Sequence, residues 1–165
     1  MFGRLIALIV GAAAAVGASQ GPGFTLQYMQ NLAGRIDELR PIVEDFDAKI
    51  SAYGYTREAA LAECHSSSGL LEALCSTYET TVARYQELLD HQDELKATSD
   101  YLRPLVLART YKRDIAQSVY DEFKPAMPVT AEGFAYGGGG FLAGWGFLSI
   151  LFGMLGAMTG GRRYA

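Results

Sequence analysis

The chain has 165 residues, half of them hydrophobic, with 19 glycines, 5 prolines and 2 cysteines. That length suits one ordinary domain, and a net charge of −4 gives no global field that would draw the chain to nucleic acid. The charges are uneven: Arg4, Arg162 and Arg163 are the only charged side chains outside Ser19–Glu132, which leaves 11 of the 14 bases against all 18 acids, a net of −7, in the middle.

The first element is "MFGRLIALIVGAAAAVGASQGPGF". Arg4 precedes an uncharged stretch, Leu5–Ala18, and Gly21-Pro22-Gly23 follows. A cleaved signal peptide has this form, with a basic start, a short apolar run and small residues near Gly17 or Ala18. A retained transmembrane helix is the other reading. The stretch covers roughly 21 Å against a hydrocarbon core of about 30 Å, so length favours the signal peptide. The retained helix, or uncleaved signal anchor, over residues 1–20 is the expectation carried forward.

The acidic middle, residues 24–128, reads as a soluble helical hairpin. Met29, Leu32, Ile36, Leu39, Val43, Phe46, Ile50 and Tyr53 alternate spacings of three and four, a heptad seam. Pro41 interrupts it and predicts a kink; Gly54 predicts a stop. Thr56 can cap a short helix to about His65, and Ser66–Gly69 is a loop. A second seam follows in Leu71, Leu74, Tyr78, Thr81, Tyr85, Leu88, Gln92 and Leu95. A last amphipathic helix is predicted over about Leu105–Phe123, ended by Pro125 and Pro128. No segment shows strand alternation, so the class is all-α: two transmembrane helices flanking an extended antiparallel helical hairpin. The seams suit intrachain packing better than a coiled coil to another chain, because two of similar length lie in one chain.

The last element, residues 130–160, holds the run Gly133–Gly160 without a charge. A soluble helix is rarely apolar on every face for this length, so a Gly-rich membrane span is predicted, capped by Thr130. The run Gly137–Gly140 does not suit a phosphate cradle: no lysine follows Lys124, and the glycines lead into hydrocarbon-soluble sequence. Gly140 and Gly144 are four apart, as are Gly156 and Gly160, and Gly153 and Ala157. Such spacing lets helix backbones approach closely, and Gly11 and Ala15 offer a matching surface at the first end. Arg4, Trp145, Arg162 and Arg163 are the predicted interfacial anchors. Both termini carry arginine without acid, so both, including a basic tail over 161–165, are expected in the cytoplasm and the middle outside it.

Cys64 and Cys75, in a segment expected outside the cytoplasm, suggest a disulfide worth about 3 kcal/mol; the alternative is two buried thiols. With His65 they make a poor zinc set, because adjacent Cys-His is unsuitable spacing and no fourth ligand is evident. His65 and His91 are the only histidines, and neither sits in a nucleophile or metal motif. No catalytic residue, cofactor, metal or small-molecule substrate is therefore assigned.

Three phrases, "GPGFTLQYMQNLAGRIDELRPIVEDFDA", "TREAALAE" and "FKPAMPVTAEGFAYGGGGFLAGW", resemble together a family of small proteobacterial inner-membrane proteins known only as a domain of unknown function. The resemblance spans nearly the whole chain. It implies a helical domain between two spans and brings no activity. The expectation is a non-enzymatic membrane scaffold, surrounded by lipid and self-associating as a homo-oligomer through its small-residue spans and heptad helices. The alternative is an accessory subunit or assembly factor of a larger inner-membrane complex.

Overall fold

The computed structural model describes residues 2–125 and 129–160. Among them the chain forms six α-helices: α1 Phe2–Ala52, α2 Arg57–His65, α3 Leu70–Ala97, α4 Arg103–Thr110, α5 Arg113–Glu122 and α6 Ala131–Gly160. The fold is all-α, with long apolar helices at both ends that pack together.

The helix α1 is the spine. It continues for 51 residues through Pro22 and Pro41, so the expected division between a span ending at 20 and a domain starting at 24 falls inside one helix. Glycine costs about 1 kcal/mol and proline about 3 kcal/mol in a helix interior, yet both sides of Gly21-Pro22-Gly23 are held by packing. Gly21 lies against Pro104 and Tyr136, and Thr25 and Tyr28 are buried. The hydroxyls of Ser19 and Thr25 donate back to Val16 O and Gly21 O, each at 2.8 Å. Tertiary contact here outweighs local preference.

Beyond α1 the chain turns at Gly54, whose φ of +79° suits glycine. Thr56 caps α2 by accepting from the Ala59 N–H at 3.2 Å. The helix α3 then returns antiparallel to α1, with Tyr78 stacked on Phe46 and His91 beside Tyr28. The core is Tyr28, Leu32, Ile36, Leu88, Leu95, Leu107, Ile115 and Val119, with Met29, Leu39 and Tyr85 packed at its edge. Val43 is also buried.

The expected single helix over 105–123 is two. Tyr111 is extended, with ψ of 144°, because the Lys112 backbone N–H leaves the helical pattern and donates to Tyr28 Oη at 2.9 Å. The helix restarts at Arg113 and lays Ile115 and Val119 into the core. Phe123 ends α5 in extended conformation, followed by Pro125; Pro128 lies outside the described residues.

The second seam also differs at its start. Leu71 and Leu74 are exposed, while Cys75 and Tyr78 are buried. The Cys64–Cys75 disulfide, with Cα atoms 5.9 Å apart, turns the Cys75 face of α3 toward α2. Leu71, one turn before Cys75 on the same face of α3, lines a shallow cleft with Tyr55, Ala60, Glu63 and Cys64 and stays exposed.

Candidate functional site

Two places concentrate unusual chemistry: the α1–α6 helix pair and a buried polar pair at the foot of the hairpin.

The helix pair is antiparallel. Gly3 meets Phe152, Gly11 meets Trp145 and Phe141, and Gly137 meets Ser19 and the Ala15 carbonyl. Its tightest point is Gly140, where a built Cβ lies 2.6 Å from Ala14 O and 2.7 Å from Ala18 Cβ. At Gly144 a Cβ lies 2.9 Å from Ala14 Cβ and 3.2 Å from Val10 O. Hydrogen alone fits these positions, so the two backbones touch and dispersion accumulates along the pair. Outward, Leu5, Ile9, Val16, Leu142, Phe147 and Ile150 are exposed. Both helices are long and apolar enough to cross a membrane.

A Cβ built on Gly153 meets nothing within 4 Å, and Gly153 lines a cleft with Gly3, Arg4 and Leu8 of α1. Trp145 meets α1 within the pair. Its Cβ rests 2.9 Å from a Cβ built on Gly11, midway along the paired stretch Gly3–Gly21, and the residue is 40% exposed. Arg4 is exposed at the end of the pair. Arg162 and Arg163, and the tail over 161–165, lie outside the described residues.

At the other place, Tyr28 Oη and His91 Nε2 are 3.0 Å apart in the core, and His91 is 5% exposed. Tyr28 Oη accepts from the Lys112 N–H at 2.9 Å and shares its other hydrogen bond with His91 Nε2, while Nδ1 faces Glu94 Oε2 at 3.7 Å. Burial, and after it the Lys112 charge, hold the imidazole below its ordinary value; Glu94 opposes them. The same burial raises the Tyr28 phenol. The pair is therefore neutral and joins α1, α3 and the α4–α5 break.

Around it runs a charged clamp. Arg35 reaches Asp114 Oδ2 at 3.0 Å and Ser118 Oγ at 2.9 Å. Arg84 bridges Asp114 and Glu87, and Lys112 Nζ reaches Glu87 at 2.5 Å. Lys112, and after it Arg84, hold the Glu87 carboxyl below its usual range. Farther out, Arg57 pairs with Asp47 and lowers its carboxyl, which ties α2 to α1.

These groups are engaged with one another. Among the described residues no buried side-chain nitrogen or oxygen lacks a partner, and no group of three or more His, Cys, Asp or Glu is placed to hold a metal. Met29 and Gln92 occupy the heptad positions, one residue from the buried Tyr28 and His91. A heptad drifts about 20° per repeat on a straight helix, and that drift brings the neighbouring residues into the core.

A pH dependence follows. Because the folded imidazole binds its proton less readily than the unfolded one, the unfolded chain gains protons first as pH falls. Stability from His91 is thus fully present above the ordinary imidazole value of 6.5 and is lost as pH falls below it. Glu87 and Asp47, depressed from 4.5 and 3.8, act only at lower pH. Thermal unfolding between pH 7 and pH 5 should show a falling Tm that His91→Gln flattens; equal slopes in both proteins contradict this assignment.

The fold and its paired helices define a class: a helical domain, braced by a disulfide, carried on two long apolar helices that pack as an antiparallel pair. Residues 2–161 match the family described as "Protein of unknown function (DUF2937)", and the chain belongs to that family. No curated protein and no solved structure matches the chain. The two apolar helices suggest a membrane setting, and the disulfide is consistent with a domain outside the cytoplasm.

Proposed function

We propose that this protein is a non-enzymatic scaffold of the bacterial inner membrane that self-associates, with both termini cytoplasmic and the helical domain in the periplasm. Arg4 ahead of the first apolar run and Arg162 and Arg163 after the second in the sequence support the orientation through the positive-inside rule, and the disulfide supports an oxidising surrounding.

The observation that carries the reading is the distal tip. Leu71 and Leu74, 54% and 58% exposed, lie at the start of the α3 seam, Leu70 before them and Tyr53 and Tyr55 after α1 are exposed as well, and Leu71 shares a shallow cleft with Tyr55. Soluble surfaces seldom leave such a cluster facing water. A second copy fits it, because a two-fold axis through the tip sets each leucine pair against its own duplicate. The reading assigns no catalytic residue and no cofactor.

Cross-linking in native membranes followed by native mass spectrometry tests it. The expected result is self-copies, reduced severalfold by Leu71→Glu with Leu74→Glu. A monomer at every concentration, bound to nothing, contradicts the reading. One stoichiometric foreign partner favours instead an accessory subunit or assembly factor.

A further inference from the structure

We propose that the α3–α4 turn and the start of α4 sit in the headgroup layer of the bilayer, giving the helical domain a second membrane contact besides its two spans. The inference rests on the reading that α1 and α6 span the membrane.

The level of the turn is fixed by direct contacts. Tyr136 Oη donates to Tyr101 O at 2.7 Å, and a Cβ built on Gly21 lies 3.7 Å from Pro104 Cβ. The turn is thus level with Gly21 on α1 and Tyr136 on α6. Both helices are uncharged there: α1 has no charged residue between Arg4 and Arg35, and α6 none after Glu132 among the described residues.

The length of α1 then sets the depth. At about 1.5 Å per residue, Gly21 is roughly 26 Å from Arg4 along the axis. The hydrocarbon core is about 30 Å thick. With Arg4 at one face, the opposite face falls at Gly21 or slightly beyond it. Tilting the pair moves that face farther along α1, which carries the turn deeper.

The side chains suit this depth. Tyr101, Leu102 and Leu105 are 51%, 55% and 53% exposed, and α4 buries only Leu107 in the core. Tyrosine with leucine is the composition of a membrane-interface contact. The charges beside them are already engaged: Arg103 pairs with Asp100 at 2.7 Å and donates to Leu95 O and Thr98 O. The adjoining cleft is lined by two bases, Arg103 and exposed Lys124, and two acids, Asp100 and Glu132, a balanced set suited to a zwitterionic headgroup layer. The contact restrains the domain against rocking on its spans. It holds the distal tip on the order of 45 Å above the bilayer, by the rise of α1 from Gly21 to Ala52.

The test is carbene labelling of the full chain in vesicles of phosphatidylcholine and phosphatidylglycerol containing a phospholipid with a diazirine near the top of its acyl chain. Adducts are mapped by mass spectrometry. The expected result is adducts at residues 101–105 as well as on the outer faces of α1 and α6, with the tip around Leu70–Leu74 unlabelled. Leu102→Asp with Leu105→Asp should lose the turn adducts and keep those on the spans. Labelled spans with an unlabelled turn overturn the inference and leave the spanning reading standing. Equal labelling of turn and tip also overturns it, and unlabelled spans overturn both.

Discussion

Replacing Gly140 by leucine should force α1 and α6 apart and lower the stability of the helix pair by several kcal/mol. Even Gly140→Ala should be costly. Its new Cβ meets the Ala14 carbonyl at 2.6 Å and Ala18 Cβ at 2.7 Å, and neither atom can rotate away. Overpacking of a tight contact costs about 1–3 kcal/mol for a few methylenes, and leucine adds more than alanine. Gly138 supplies the control. A Cβ there meets nothing within 4 Å, so Gly138→Ala should be neutral or stabilise by up to about 1 kcal/mol through helix propensity. Thermal unfolding in detergent should rank Gly138→Ala with the parent or above it, then Gly140→Ala, then Gly140→Leu. A Gly140→Leu protein as stable as the parent, beside a disrupted Gly138→Ala protein, contradicts the close contact.

The second large effect is expected at Tyr28, which is fully buried. Tyr28→Ala should destabilise the hairpin by about 3–5 kcal/mol, the range for removing a buried aromatic ring, and lower Tm by roughly 6–20 °C. Tyr28→Phe isolates the hydroxyl. It leaves the Lys112 N–H and the imidazole without their partner, at a cost of about 1–3 kcal/mol. The two differ in kind as well as size. Tyr28→Phe keeps the ring packed and should increase hydrogen exchange at Lys112, where α4 and α5 part, before other core amides. Unchanged exchange at Lys112 contradicts the account of the helix break.

The features legible in the sequence are those whose cause is local. The α1 seam at Leu32, Ile36 and Val43 follows from spacing, and the uncharged ends from composition. The Thr56 cap and the Gly54 turn follow from what each residue's own backbone and side chain can do. The hidden features depend on distant partners. The unbroken helix at Gly21-Pro22-Gly23 depends on Pro104 and Tyr136. The break at Tyr111–Lys112 depends on a hydroxyl 84 positions earlier in the chain. The burial of Tyr28 and His91 beside the read seams depends on the helical drift and on each filling the other's hydrogen bond. Glycine spacing points to the helices that pair but not to where they touch most tightly: a Cβ on Gly140 or Gly144 would collide with α1, while one on Gly153 meets nothing within 4 Å.

The central claim is that two antiparallel spans hold a helical domain, joined by the Cys64–Cys75 disulfide, outside the cytoplasm. The most direct measurement is the activity of alkaline phosphatase, an enzyme active only after export, fused at residue 100 and after Ala165. The account predicts activity for the fusion at residue 100 and none for the fusion after Ala165. The reverse pattern, or activity at both sites, contradicts it.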